Sequence, residues 1–233
     1  EHKAYRYLPT FVPLFEHEVE RVLAALTCGF GAGEPARGGA PVSHAVPGRL
    51  NQPQLETLAT VTRAMQGGYA LRLIYHSMKT GAGFREIVPH ALVDSGLRWH
   101  VRAYDRTKGQ FRDLVLTRME QVVPLPEATE KQFAAADEKA VADLQWNQWV
   151  TLHLEPHPAH PHPETIERDY GMQHGRLTVT LRAAVVGYVL RQWLVDCSQQ
   201  ARLRGPEFRL KLADIRQLDG VDNAVLAPGY RGG

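Results

Sequence analysis

Between Leu71 and Met119 the sequence alternates polar and apolar residues with the two-residue period of β-strands. We predict strands over residues 70–77, 84–93, 97–105 and 111–118. The intervening segments are rich in glycine, lysine and aspartate, as expected of tight turns. A chain with this pattern is restricted to an antiparallel sheet of short strands.

A helix is predicted just before these strands. Asn51 can cap it, an apolar stripe extends to Met65, and Gly67 with Gly68 ends it. One helix followed by four or five short, strongly twisted strands predicts a small β-barrel.

The third predicted strand separates two kinds of side chain. Because strand side chains alternate between faces, Trp99, Val101 and Ala103 are predicted to face an apolar core. The opposite face then carries Arg98, His100, Arg102 and Tyr104. Several such faces together would form a cationic pocket.

Positive charge is concentrated in this region. Residues 71–120 hold nine lysines and arginines against five acidic residues, whereas the whole chain has a formal net charge of only +2. Arginine outnumbers lysine here, which favours bidentate recognition of a phosphate or carboxylate group. The region therefore predicts contact with an anion.

The composition narrows the class of protein. With 233 residues and 44% hydrophobic content, the chain can bury one large core or two small ones. There is no run of about 18 apolar residues and no signal-peptide pattern, so we predict a cytoplasmic protein without a membrane partner. Cys28 and Cys197 lack metal-ligand spacing and are predicted to be reduced thiols.

The periodicity divides the chain into four predicted segments. Residues 1–54 form an N-terminal helix (12–26) and a mobile linker, 55–126 the barrel, 127–146 a connecting helix, and 147–233 a small α+β sandwich. In the last segment we predict strands over 149–154, 176–182 and 208–212, with helices over 164–170 and 185–195.

The polar strand faces supply the candidate ligand-binding residues. They are Tyr75, Ser77, His90, His100, Arg102, Arg112 and Arg118. Each alone could be an ordinary solvated or hydrogen-bonded residue, but their repetition on neighbouring strands favours a shared site. The set predicts an anion-binding pocket.

A catalytic site and a metal site are less well supported by the sequence than an anion-binding pocket. Ser77 with His90 or His100 and Asp94 would suit a hydrolase, yet the chain has no GxSxG motif. His153, His157, His160 and His162 lie in a proline-rich stretch without helical spacing or matching carboxylates. We therefore predict neither an enzyme, nor a metal site, nor a cofactor.

Several of these strings resemble a known family. Leu97–Asp105 and Phe111–Met119 resemble a WYL domain, with Trp99-His100-Val101 in place of the Trp-Tyr-Leu signature. Tyr75-His76-Ser77 and Arg85–Val93 are similar to the first strands of the family, and Glu167–Met172 is similar to its C-terminal extension domain. Over about residues 55–215 the chain resembles WYL-domain transcriptional regulators of the phage-defence-associated BrxR/CapW group.

The resemblance implies an α+β protein with an Sm-like β-barrel that binds a regulatory ligand, a nucleotide or a nucleic-acid-derived anion. It also implies a homodimer that binds operator DNA through an N-terminal winged helix-turn-helix. No such element is readable in residues 1–65, so we expect it to precede Glu1 or to be lacking. Carried over by position, the implied pocket is the same seven residues.

The sequence thus predicts the ligand-sensing and dimerising region of a bacterial transcriptional repressor that controls phage-defence genes. A constitutive single-stranded nucleic-acid-binding module is the alternative, and a nucleotide hydrolase is a weaker one. An apolar stripe formed by Val186, Val189, Leu190 and Trp193 is predicted to be exposed and to need a dimer partner.

Overall fold

The computed structural model describes residues 18–28, 43, 45, 49–126 and 132–231. The chain divides into two compact units, Glu1–Gly48 and Arg49–Gly233. In the first unit the described helix is α1 (Val19–Cys28). The earlier part of the predicted helix and most of the predicted linker lie outside the described residues.

The second unit begins with helix α2 (Leu55–Gly67), as the sequence predicts. Gly68 ends the helix in the left-handed conformation, with φ of 66° and its N–H bonded to the carbonyl of Ala64. The predicted cap was wrong, because Gln54 occupies the N-cap position. Asn51 instead donates a hydrogen bond to Thr117 at 2.8 Å.

Five antiparallel strands follow α2. They are β1 (Leu71–Ser77), β2 (Gly81–Asp94), β3 (Trp99–Asp105), β4 (Gln110–Val115) and β5 (Met119–Pro124). Their order in the sheet is β4-β3-β2-β1-β5. Successive strands are joined by short turns, so most of the pairing is between neighbours in the sequence.

The predicted α+β class is confirmed, but the predicted small Sm-like barrel is not, since the two outer strands of this sheet, β4 and β5, do not pair with each other in the described structure. The predicted fourth strand ends early, at a 3-10 turn over Leu116–Arg118. This turn joins β4 to β5, and its first residue, Leu116, is buried in the core. The result is an open α+β arrangement of α2 on an antiparallel sheet.

The predicted face assignment of β3 is confirmed. Val101 and Ala103 are fully buried, and Trp99 packs against the same core, which includes Val61 and Ala64 of α2. Burying an aliphatic side chain of this kind contributes about 1.5 to 3 kcal/mol. The polar residues of β3 therefore lie on the other face of the sheet.

The segment between the two sheets is not the continuous helix predicted over 127–146. From residue 132 onward it contains two 3-10 turns, at Ala136–Glu138 and Ala140–Ala142, and a short helix α3 (Leu144–Asn147). Its start is hydrogen-bonded beside the first strand, where Ala70 donates to the carbonyl of Gln132 at 2.8 Å. These tertiary contacts outweigh the helical propensity of the alanines.

The second sheet has three strands, which alternate with two helices along the chain in the predicted order. They are β6 (Trp149–Pro156), α4 (Pro163–Asp169), β7 (Leu177–Arg182), α5 (Ala183–Gln192) and β8 (Leu210–Leu212). All strand pairs are antiparallel, and the order is β7-β6-β8. Two 3-10 turns, Ile215–Leu218 and Ala224–Leu226, follow β8.

Helix α5 uses its apolar stripe inside its own domain. Val186 and Leu190 are fully buried against Leu152 and Leu154 of β6. The prediction that this stripe is exposed was therefore wrong for Val186 and Leu190, whereas Val189 is partly buried and Trp193 is 38% exposed. A dimer interface cannot be assigned to this stripe.

Candidate anion-binding site

Arg102 on β3 is buried and fully engaged by carboxylates. Its Nε and Nη2 donate to the two oxygens of Asp143 at 2.7 and 2.9 Å, and Nη1 donates to Asp113 at 3.3 Å. Arg102 and Asp143 are only 6% and 1% exposed. Each of the three nitrogens of this guanidinium therefore donates to an internal carboxylate.

His90 belongs to the same cluster. Its Nε2 lies 3.0 Å from Oδ2 of Asp143, the oxygen that also accepts from Arg102. The ring packs edge-on against Phe111 and Trp146. Although burial alone would raise it, the pKa of Asp143 is held well below its usual range by hydrogen bonds from His90 and Arg102.

Asp113 connects this cluster to helix α5. Its second oxygen accepts a hydrogen bond from the hydroxyl of Tyr188 at 3.0 Å. Burial raises the pKa of Asp113, while the Arg102 charge opposes the shift. Burial, together with the Asp113 charge, also raises the pKa of Tyr188. We call Arg102, Asp143, His90, Asp113 and Tyr188 the Arg102 network.

A first cavity of about 530 Å³ lies beside this network, between the first sheet and α5. We call it the α5 pocket. Its lining includes Tyr75, Arg98, His100, Asp113, Arg118, Tyr188 and Arg191. Basic groups therefore outnumber acidic ones in it.

His100 lines the α5 pocket as a neutral ring. It is 6% exposed, and its centroid lies 4.9 Å from that of Tyr188. Burial, followed by the positive charge of Arg98, lowers the pKa of His100 to about 4. Its Nδ1 is buried without a hydrogen-bond partner among the described residues, so it can accept or donate one further bond.

A second cavity of about 370 Å³ adjoins the first. We call it the hairpin cleft, because the β1–β2 turn forms one wall. Its ionisable lining consists of Lys79, Arg85, Asp105, Lys108, Arg112, Asp113 and Arg118. Tyr75, Asp113 and Arg118 line both cavities, so the two spaces share a boundary.

The hairpin cleft has an excess of uncompensated positive charge. Of its acids, Asp105 lies 3.6 Å from Arg85, and Asp113 accepts from Arg102 and Tyr188. Four of its cations make no salt bridge with any residue in the described part of the chain. They are Lys79, Lys108, Arg112 and Arg118. Four free cations around one cleft favour a phosphate-bearing or carboxylate-bearing ligand.

Two neutral candidates on β1 also line the cleft. Tyr75 is buried, and its hydroxyl accepts a hydrogen bond from the amide of Val115 at 3.2 Å. The Ser77 hydroxyl accepts from the amides of Lys79 and Thr80 at 3.2 and 3.3 Å. Ser77 thus fixes the turn that presents Lys79.

The structure brings five of the seven candidates together and separates two. Tyr75, Ser77, His100, Arg112 and Arg118 line the paired cavities, whereas neither cavity includes His90 or Arg102. Sequence reasoning missed Asp113, Asp143 and Tyr188. Asp113 could have been found, because the β3–β4 register places it directly opposite Arg102.

No group of three or more histidine, cysteine, aspartate or glutamate side chains within the described ranges is arranged to hold a metal ion. None of the helices described here is long and apolar enough to cross a membrane.

The fold and the cavities define a two-domain α+β protein with a basic cleft on its first sheet. Family comparisons match each domain separately. Residues 56–124 match the WYL domain, and residues 149–218 match the BrxR transcriptional regulator, C-terminal dimerization domain.

Curated relatives carry one name. The chain is 35% identical over 152 residues to the DNA-binding transcriptional repressor CapW of Escherichia coli (strain KTE188), covering 64% of this chain and 48% of that protein. It is 34% identical to CapW of Stenotrophomonas maltophilia, covering 59% and 45%, and 33% identical to CapW of Pseudomonas aeruginosa, covering 62% and 46%. The chain spans about half the length of these relatives.

The chain therefore carries a WYL domain and a BrxR-type C-terminal dimerization domain, and it is similar to CapW repressors, which confirms the resemblance seen in the sequence. Among solved structures, the proteasome accessory factor B/C (PafBC) of Arthrobacter aurescens is 20% identical. The match covers 61% of this chain and 24% of the PafBC chain, with a TM-score of 0.31. This likeness is too low to support any argument.

Proposed function

We propose that this chain is the ligand-sensing and dimerising region of a transcriptional repressor of phage-defence genes. The effector is an anion, a nucleotide or a short nucleic-acid fragment, bound across the hairpin cleft and the α5 pocket. DNA binding and homodimerisation are proposed from the printed names of the relatives and of the second domain.

The observation that carries this proposal is the set of four unpaired cations at the hairpin cleft. Phosphate oxygens would contact Arg112 and Arg118, with Lys79 and Lys108 adding longer-range attraction. His100 and Tyr188 would offer a ring surface in the adjoining pocket, where a base can stack. A phosphate joined to a flat ring fits both cavities better than a simple anion.

We propose that a response to the ligand passes through Asp113. Asp113 lines both cavities, and Tyr188 of α5 donates to it. A bound anion beside Asp113 would repel this carboxylate and weaken its bond to α5, so that the packing of the dimerization domain changes. Differential binding to two such arrangements is what shifts a population between them.

We propose that the chain acts by binding rather than by turnover. A hydrolase would need Ser77 activated by a histidine. The Ser77 hydroxyl instead bonds to two turn amides, and His90 bonds to Asp143. If the purified chain turned over nucleotides, and the turnover were lost in Ser77→Ala, the hydrolase alternative would replace this proposal.

The test compares one cleft arginine with a matched arginine outside it. A fluorescein-labelled thymidine hexanucleotide is titrated with the parent, Arg118→Ala and Arg63→Ala chains, and adenosine monophosphate is used as competitor. Arg63 is an exposed residue on α2 and lines neither cavity. We expect Arg118→Ala to weaken binding roughly ten- to hundredfold, the range for losing one charge-assisted pair.

The Arg63→Ala chain should bind as the parent does. Equal binding by all three chains would contradict the site. Affinity that rises steadily with strand length, without competition by the mononucleotide, would favour a constitutive single-strand binder over an effector site.

A further inference from the structure

The second sheet has an unpaired edge at β7. In the order β7-β6-β8, strand β7 pairs with β6 only. No backbone hydrogen bond joins β7 to any other described strand. The outer N–H and C=O groups of residues 177–182 are therefore available to another strand.

This edge lacks the features that normally prevent association. Residues 177–181 read Leu-Thr-Val-Thr-Leu, without a charge or a proline. Their pairing with β6 runs in continuous register from Leu154↔Leu177 to Trp149↔Arg182, so no bulge twists the strand away. Edges of monomeric proteins are commonly blunted by just these features, and β7 has none of them between its terminal arginines.

The sequence of this edge is the same in both directions. Residues 176–182 read Arg-Leu-Thr-Val-Thr-Leu-Arg, a palindrome centred on Val179. Antiparallel strands related by a two-fold axis at Val179 would place Leu177 opposite Leu181 of the partner subunit. Thr178 would lie opposite Thr180 of the partner subunit. Such a self-complementary patch is what a two-fold interface requires.

In such a pairing, each face of β7 would lie beside the matching face of the partner's β7. Thr178 and Thr180 are exposed, and their hydroxyls lie 3.1 Å from His153 and Thr151 on β6. Leu177, Val179 and Leu181 are partly buried and pack against the domain core. Pairing two β7 strands would extend the polar row on one side and cover the apolar row on the other.

The two arginines at the ends are already engaged within each subunit. Arg176 donates to Glu155 at 2.8 Å. The guanidinium of Arg182 lies 4.7 and 4.6 Å from the ring centroids of Trp146 and Trp149. These contacts draw the charges away from the strand edge, which reduces repulsion between Arg176 and Arg182 of the partner subunit.

We propose that two copies of this chain join along β7, antiparallel about a two-fold axis at Val179, to form one six-stranded sheet. The inference rests on the homodimer proposed above and specifies its interface. It makes the homodimer a product of main-chain pairing, with the palindrome setting the register.

The first test uses charge to oppose or favour the predicted register. In Thr178→Glu/Thr180→Glu, two like-charged pairs would face each other across the axis. In Thr178→Glu/Thr180→Lys, the same two pairs would be opposite in charge. Both variants alter only exposed positions of the same strand, so circular dichroism should show that each keeps the parent fold.

Sedimentation equilibrium then measures the dimer dissociation constant against the 26.1 kDa chain. We expect the Glu/Glu variant to raise it roughly tenfold, and the Glu/Lys variant to leave it near the parent value. A Glu/Glu variant that dimerises like the parent would overturn the β7 interface and leave the homodimer standing. A monomeric parent would overturn the homodimer and this inference together.

The second test reports the register directly. Directly opposed residues of antiparallel strands have Cα atoms about 4.5 to 5.5 Å apart, within disulfide range. In a Cys28→Ser background, Val179→Cys should form a disulfide with its own copy on mild oxidation. Thr151→Cys, at an exposed position on β6, should remain a monomeric thiol. Cross-linking of Thr151→Cys but not of Val179→Cys would contradict the proposed pairing.

Discussion

Arg102, on β3, and Arg118, in the turn between β4 and β5, occupy opposite physical situations. Arg102 is buried, and three of its nitrogens donate to Asp143 and Asp113. Arg118 lines two cavities and makes no salt bridge with a described residue. A buried, paired charge stabilises the fold only together with its partners, whereas an unpaired charge at a cavity is available to a ligand.

This comparison separates stability from binding within one predicted site. Seven residues on neighbouring strands predict one pocket, yet the structure divides them between the Arg102 network and the paired cavities. Whether an arginine here stabilises the fold or is available to a ligand depends on the carboxylates within reach of its guanidinium.

The largest effect is expected for Asp143→Ala. The substitution leaves the Arg102 charge buried with only the 3.3 Å contact to Asp113, and it removes the bond to His90. It also removes the side-chain cap of α3, where Asp143 accepts from the Trp146 amide at 3.1 Å. We expect a loss of about 3 to 5 kcal/mol in the free energy of unfolding, measured by urea denaturation.

The matched control is Asp137→Ala, an exposed aspartate of the same connecting segment. Its effect should stay within about 0.5 kcal/mol. If Asp143→Ala were equally mild, Arg102 would not depend on this carboxylate, and its assignment to the stability network would fail.

The next largest effect concerns pH and His100. In the folded chain its pKa is lowered to about 4, mainly by burial, whereas an unfolded histidine titrates near 6.5. The unfolded state therefore binds a proton first as the pH falls. Stability contributed by the neutral ring is fully present above about pH 6.5 and is lost as the pH falls to about 4, by about 3 kcal/mol.

Replacing His100 by glutamine should flatten this part of the stability–pH curve, because the amide does not titrate. His162→Gln provides the control, since His162 is exposed and paired with exposed Glu164. Denaturation at pH 7, 6, 5 and 4 distinguishes the two. An unchanged slope in His100→Gln would show that this ring is not held neutral by its surroundings.

Local sequence patterns predicted most of the fold. The β-period placed the core face of β3 correctly, and glycines marked the end of α2. The strand and helix order of the second domain followed from the same reasoning. These features depend on residues close together in the chain, and local geometry limits them strongly.

The features that could not be predicted depend on distant contacts. Asp143 lies 41 residues from Arg102, in a segment whose alanines favour a helix. The end of β4 at Val115 was not predicted, because buried Leu116 continues the strand pattern into the 3-10 turn. Tyr188 is 75 residues from Asp113, so its role appears only when α5 is placed against the sheet.

The smallest effect is expected where the two regions meet, at Tyr188. Tyr188→Phe keeps the ring beside His100 and removes the 3.0 Å hydrogen bond to Asp113. Hydrogen bonds to a charged group contribute about 1.5 to 3 kcal/mol. Because Arg102 still compensates Asp113, we expect the free energy of unfolding to fall by about 1.5 kcal/mol.

A double-mutant cycle with Asp113→Asn isolates the pairwise energy of Tyr188 and Asp113. The control is Tyr170→Phe, since Tyr170 is an exposed tyrosine of the second domain. If Asp113 couples the cleft to α5, the cycle should give about 1 kcal/mol. Tyr188→Phe should then alter the response of the proposed dimer to the oligonucleotide probe more than its affinity for the probe. A coupling energy near zero would separate the cavities from the dimerization domain and leave the Arg102 network with a purely stabilising role.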